Sequence, residues 1–146
     1  MSTLIYTEMD VRADDVEQHL TSVDRTSAVR VIVPVRPLTT DEEKFVAVEF
    51  DDNDAVERDV RFARWRLDAV MDALRSAGHT DVDGQTSADS AVDTIEHAVE
   101  DGNVDHVVVI TGPTGVAGWI QMDLPHRIER HVDRPVTHVE LDRAHA

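Results

Sequence analysis

Three glycines, Gly112, Gly115 and Gly118, follow the apolar run 104–110 with Thr111 at its end. Glycine at that place lets the backbone come close to a phosphate, and the N–H groups of a following helix aim donors at it. The spacing matches neither the Gly-x-Gly-x-x-Gly fingerprint nor the Walker loop with its Lys-Ser/Thr. The same glycines also serve a tight strand-to-helix turn on steric grounds. A second concentration of chemistry comes next. His126, Arg127, Arg130, His131 and Arg134 crowd one stretch of an otherwise acidic chain. His126 with Arg130, and Arg127 with His131, stand four apart and share a helix face. A planar guanidinium beside a glycine loop suits a small anionic ligand. Pairing with Glu129 and Asp133, or with a second copy of the chain, is the competing use of these cations.

Other chemistry finds less support. Thr111, Thr114 and Ser87 have no base partner by spacing, and no Gly-x-Ser-x-Gly elbow exists. The histidines form no His-Glu-x-x-His pair; His126 and His131 are five apart and point different ways on a helix. His97, between Glu96 and Glu100, reads as a solvated helix position. The absence of cysteine excludes disulfides, thiol catalysis and thiolate metal sites. The sequence therefore nominates no catalytic residue and no metal ligand.

The elements that must hold these groups alternate between strand and helix. Residues 2–9 read as a strand, and 13–20 as a short helix with Val16 and Leu20 on one face. Residues 29–35 are a β-branched run, as expected of a strand buried on both faces of a parallel sheet. A strand is expected at 45–50. The clearest helix follows, with Val56, Val60, Ala63, Leu67, Val70, Met71 and Leu74 inward and Gly78 as its C-cap. Along it Asp72 and Arg75 are spaced as an ion pair. Trp65 falls off the inward stripe and Trp119 follows the glycine loop; each reads as partly buried core. A strand at 81–86 and a helix capped by Ser87 or Asp89, with Val92, Ile95, Ala98 and Val99 inward, come next. Then follow a strand at 104–110, a helix from Asp123 with Leu124, Ile128 and Val132 inward, and a final strand at 136–141. This order predicts a Rossmann-like α/β fold with a parallel sheet and helices on both faces. Ligands of such sheets bind beyond the carboxyl ends of the strands.

The chain has 146 residues, 30 acidic against 14 basic, and a net charge of -16. At this length one domain, 1–146, is expected. The charge excludes non-specific binding to nucleic acid or to an anionic membrane surface. No apolar stretch nears the roughly 20 residues a membrane helix needs, and the first residues lack a signal-peptide pattern, so the reading is cytoplasmic. Lys44 is the only lysine; the other cations are arginines, and Asp outnumbers Glu. Such a surface fits a halophile, in whose molar salt carboxylate repulsion is screened within about 3 Å.

Four segments, VIVPV at 31–35, AVDTIEHAVED at 91–101, DHVVVITGPTG at 105–115 and RPVTHVEL at 134–141, resemble the universal stress protein family. The resemblance covers residues 29–141 and leaves 1–28 as an N-terminal extension. It implies a Rossmann-like domain, a homodimer through the last strand, and ATP binding in some branches. Gly112 and Gly115 match the opening glycine pair of the ATP-binding branch. Two departures stand out. Arg36 takes the place of the acidic residue after the first strand, and the Gly-Ser positions fall on Met122 and Asp123 after a shortened loop. A carboxylate there repels a polyphosphate, so ATP is disfavoured. The ligand-binding set expected on this reading is Arg36, Thr111, Gly112, Gly115, Gly118, Asp123 and Arg127. The expected function is non-catalytic, stress-linked or regulatory binding. The alternatives are a nucleotide-binding switch or enzyme using the glycine loop, and an accessory domain for a transporter or other protein partner. The final strand is expected at the sheet edge, covered by a second copy or by residues 2–9 folding back.

Overall fold

The structure, a computed structural model, describes residues 2–35, 55–101, 104–111, 128, 130 and 132–141, with side chains of the second stretch from 59 onward. In chain order the elements are β1 (Ser2–Thr7), α1 (Ala13–His19), β2 (Ala28–Pro34), α2 (Ala55–Ser76), β3 (Val82–Ser87), α3 (Ala91–Asp101), β4 (Val104–Thr111) and β5 (Val136–Glu140). Ile128, Arg130 and Val132 are helical ahead of β5. The strand expected at 45–50, Trp119, the glycine loop and the start of the last helix lie outside the described residues.

The strands form one parallel sheet in the order β3-β2-β1-β4-β5. This is the expected α/β architecture, with one change. Sequence reasoning sets residues 1–28 outside the resemblance, yet β1 is the central strand, hydrogen-bonded to β2 on one side and β4 on the other. The reason is non-local: β1 finds its second neighbour about a hundred residues later, at a distance no window of sequence reports. Residues 2–9 therefore do not cover β5, which is the outermost strand on its side among the described residues.

Each strand alternates between two cores. Ile5, Val31, Val33, Val108 and Ile110 meet Val16 and Leu20 of the α1 region and Leu67, Val70 and Leu74 of α2 on one face. Leu4, Tyr6, Ile32, Val107 and Val109 meet Ile95, Ala98, Ile128 and Val132 on the other. With both faces covered, β1 buries Leu4, Ile5 and Tyr6 in succession. Full burial of such side chains contributes about 1.5–3 kcal/mol each.

α2 departs in detail from its expected stripe. Ala63, Leu67, Val70 and Leu74 are buried as expected, but Val60 is exposed, and Phe62, Arg66, Ala73 and Ala77 join the buried set. Successive helix residues turn by about 100°. A stripe centred on Ala63, Arg66, Val70 and Ala77 leaves Val60 and Met71 at its margin. Trp65, expected as partly buried core, is exposed, its ring 5.6 Å from that of Phe62. The expected Asp72–Arg75 pair forms at 3.6 Å. The helix ends as predicted at Gly78, which adopts φ +103°. The Gly78 N–H donates to the Arg75 carbonyl and the His79 N–H to the Leu74 carbonyl, closing a Schellman cap. α3 is capped by Ser90, whose Oγ accepts from the Asp93 N–H, rather than by Ser87 or Asp89. The Ser87 hydroxyl is engaged instead with the Asp89 N–H and the Thr94 hydroxyl.

Candidate functional site

After β1 the chain turns to β2 on one side; β4 then enters on the other. That reversal opens a crevice at the carboxyl ends of β1 and β4, the place where open α/β sheets bind ligands. Four consecutive residues shape its β1 side. The Thr7 hydroxyl donates to the Met9 carbonyl at 2.9 Å and accepts the Met9 N–H at 3.0 Å, which fixes the turn. The Glu8 N–H reaches the Ile110 carbonyl of β4 at 3.4 Å, and the Glu8 side chain is buried. Burial, with Glu8 nearby, holds the Tyr6 phenol well above its ordinary pKa, so it stays a neutral hydroxyl. Asp10 stands at the mouth with its side chain 48% exposed.

Arg66 of α2 organises this turn. It is only 7% exposed. Its Nε donates to Asp10 Oδ1 at 2.9 Å and its Nη1 to the Glu8 carbonyl at 2.7 Å. Its guanidinium carbon lies 4.9 Å from the centre of the Phe62 ring. A buried guanidinium needs both a counter-charge and filled donors; Asp10 and the Glu8 carbonyl supply them. The arrangement holds a carboxylate at the crevice, where it can accept hydrogen bonds from a sugar hydroxyl or an exocyclic amine.

On the other side of the crevice β4 ends at Thr111. The Thr111 hydroxyl is buried and hydrogen-bonded to Nε2 of His138 on β5 at 2.7 Å, while its carbonyl accepts the Leu141 N–H. A parallel contact, His106 Nε2 to the Thr137 hydroxyl at 2.6 Å, joins the same two strands lower down. Of the expected ligand set only Thr111 is among the described residues; Arg36, Gly112, Gly115, Gly118, Asp123 and Arg127 lie outside them. So do His126 and His131 of the basic cluster. Arg130 and Arg134 are described: Arg130 is exposed, and Arg134 donates from Nε to the Val104 carbonyl at 3.0 Å, a structural tie at the start of β4. Among the described residues no cluster of three His, Asp or Glu side chains could hold a metal ion, and no helix is long and apolar enough to cross a membrane.

The position after the first strand needs correction. Sequence reasoning takes 29–35 as the first strand and finds Arg36 behind it. The first strand of the sheet is β1, and the residues behind it are Glu8, Met9 and Asp10; Arg36 follows β2. Asp10, Glu8 and Arg66 are the site residues that sequence reasoning missed. The stripe predicted for α2 does not include Arg66, so no local pattern marks it.

No family model matches the sequence, and neither does any curated protein. Solved structures do match in shape. A universal stress protein in complex with cAMP aligns at TM-score 0.52 and 16% identity, over 95% of this chain and 96% of that one. The universal stress protein from Archaeoglobus fulgidus in complex with dAMP aligns at 0.52 and 14%, over 95% and 98%. Hypothetical protein MJ0577, the subject of a structure-based assignment of biochemical function, aligns at 0.65 and 16%, over 97% and 96%. Sequence identity is low throughout, while coverage is nearly complete in both directions. The strand order, the two-sided core and these matches together give the chain the universal stress protein fold.

Proposed function

We propose that the chain is a non-catalytic binding domain whose ligand is an adenine mononucleotide, seated in the crevice at the carboxyl ends of β1 and β4. The observation that carries this reading is the carboxylate of Asp10, held at the mouth of the crevice by the buried Arg66. Proteins of the same fold were solved with cAMP and dAMP, ligands with one phosphate. Gly112 and Gly115 directly follow β4 in sequence, and their match to the opening glycine pair of the ATP-binding branch implies N–H donors for such a group. The resemblance puts Asp123 at a Gly-Ser position, where a carboxylate would oppose the further charge of a polyphosphate and so separate a mononucleotide from ATP. The Thr111 hydroxyl, hydrogen-bonded to Nε2 of His138, belongs to a residue only 1% exposed and is closed to a substrate.

Calorimetry with AMP, cAMP and ATP–Mg²⁺ tests this. AMP or cAMP binds, and ATP binds no tighter than about 0.1 mM. Asp10→Asn, which keeps an acceptor for Arg66, weakens the mononucleotide by about tenfold, as expected for one charge-assisted hydrogen bond. Micromolar ATP binding, or no binding of any of the three, overturns the reading.

The chain functions as a symmetric dimer through β5 on the same proposal. The Leu141 N–H and the Pro135 carbonyl both bond to β4. Odd-numbered residues of β5 thus turn inward, and 136, 138 and 140 present their backbone groups outward. An open edge of this kind is completed by antiparallel pairing with its two-fold mate. Light scattering reads the mass. Glu140→Pro removes an outward donor and leaves the inward bonds of β5 intact, so it yields a folded monomer; an unaltered dimer excludes this edge.

A further inference from the structure

The outward face of α2 carries its charges in a definite order. Arg61, Arg64, Trp65, Asp68 and Asp72 are all exposed. At 100° per residue they fall within about 100° of one another, opposite the buried Ala63, Val70 and Leu74. Along the helix two cations come first, then the indole, then two carboxylates. Arg75, the next charge, donates from Nη2 to the Val82 carbonyl at 3.1 Å and stands 3.6 Å from Asp72. The Asp72 side chain remains 77% exposed.

Trp65 is the apolar centre of this face. With Val60 it makes up the exposed large hydrophobic residues among those described. Its ring stands 5.6 Å from that of the buried Phe62, so it is held in place before any partner arrives and has less rotamer freedom to lose. Tryptophan beside arginine is the composition of interface hot spots. The amino half of α2 suits an acidic partner: within 58–66 stand Arg58, Arg61, Arg64 and Arg66 against Asp59 alone, in a chain of net charge -16. The order of the charges selects which acidic partner. The pairs 61/72 and 64/68 share a midpoint at 66–67. Turned end for end about that point, the face matches itself. Arg61 meets Asp72 of a second copy, Arg64 meets Asp68 of a second copy, and each contact occurs twice, as a two-fold interface requires. Trp65 lies about 2 Å along the helix from the midpoint, so the two indoles meet beside the axis. A parallel pair would set like charges together.

We propose that the outward face of α2 is a self-association surface, on which a second copy of this chain lays its own α2 antiparallel. α2 packs on β2 and β3, at the end of the strand order away from β5. The face is therefore separate from the β5 edge, and both used together give assemblies larger than a dimer. One helix face per copy falls below the roughly 1,200 Å² of a stable interface, so the contact is a transient one. It forms at about 0.1–1 mM chain and not at micromolar concentration.

Sedimentation equilibrium of the full chain carrying Glu140→Pro isolates this face from the β5 edge. At one fixed KCl concentration, monomer is expected at about 10 µM and at least half dimer at about 1 mM. Arg61→Glu with Arg64→Glu makes every charge of the face a carboxylate, and Asp68→Arg with Asp72→Arg makes every one a cation. Each of these variants alone associates about tenfold more weakly or worse, while an equimolar mixture of the two associates as the parent does. Trp65→Ala weakens the contact by about tenfold. All five positions are exposed, and melting temperatures report that each variant is folded. The same order of association is expected with Glu140 retained. A Glu140→Pro chain still monomeric at about 1 mM overturns the proposal. So does a charge variant that self-associates as tightly as the parent, or a mixture no more associated than its parts.

Discussion

Arg66 sits where the α2 stripe asks for hydrocarbon, and it joins helix to crevice through Asp10 and the Glu8 carbonyl. Arg66→Met keeps the length of the side chain and removes its donors. Asp10 is half exposed and can hydrate, but the Glu8 carbonyl is left in a buried site. A loss of about 1–3 kcal/mol is expected in urea unfolding. Arg66→Lys recovers less than half of it, since one ammonium cannot reproduce the fork. Two histidines set the response to acid. Burial pushes both His79 and His106 below the ordinary imidazole value of 6.5. Above that value both are neutral in either state and the full stability is present. As pH falls through 6.5 the unfolded chain takes up protons that the fold resists, so stability declines. Unfolding midpoints measured from pH 8 to 5.5 should show this decline, and His79→Gln should flatten part of it. None of these residues was legible as a site group in the sequence. Arg66 and Asp10 are 56 positions apart, and a lone histidine after a helix carries no mark of burial.

The packing of α2 against the edge strand β3 depends on a missing side chain. A Cβ at Gly84 would stand 2.6 Å from Leu67 Cδ1 and 2.8 Å from the Val31 carbonyl oxygen. The carbonyl cannot yield, so Gly84→Ala forces helix and strand apart. A cost of about 1–3 kcal/mol is expected, read as a lower melting temperature. Gly78→Ala places a Cβ at φ +103° and costs about 1–2 kcal/mol through the cap alone. At this scale the sequence is most readable where a pattern is local. The α2 stripe with Gly78 at its end, the valine runs of β2 and β4, and β5 after Pro135 are all local. β3 was visible as a strand, but its place at the edge was not, and the reason for Gly84 is a neighbour 17 positions earlier. β1 shows the limit most clearly. Leu4, Ile5 and Tyr6 in a row carry the signature of a strand buried on both faces, but six residues are too few to say which strands flank it.

A net charge of -16 on 146 residues works against any compact state in dilute buffer. In molar salt that repulsion is confined to about 3 Å. Thermal melts in molar KCl should therefore exceed those at low ionic strength by a clear margin; equal melts would assign the acidity to a basic partner instead. The order β3-β2-β1-β4-β5 has a further consequence, in how the chain is made. β1 leaves the ribosome about a hundred residues ahead of β4, which covers one of its edges and begins at Val104. At about 5–20 residues per second, that edge waits roughly 5–20 s for its partner. Through this interval Leu4, Ile5 and Tyr6 lie along an open strand whose only neighbour is β2. A nascent chain arrested after Asp101 should accordingly be captured by holdase chaperones and aggregate on release, while one extended past Leu141 should not. The element that centres the finished sheet is, during synthesis, the part of the molecule most in need of protection.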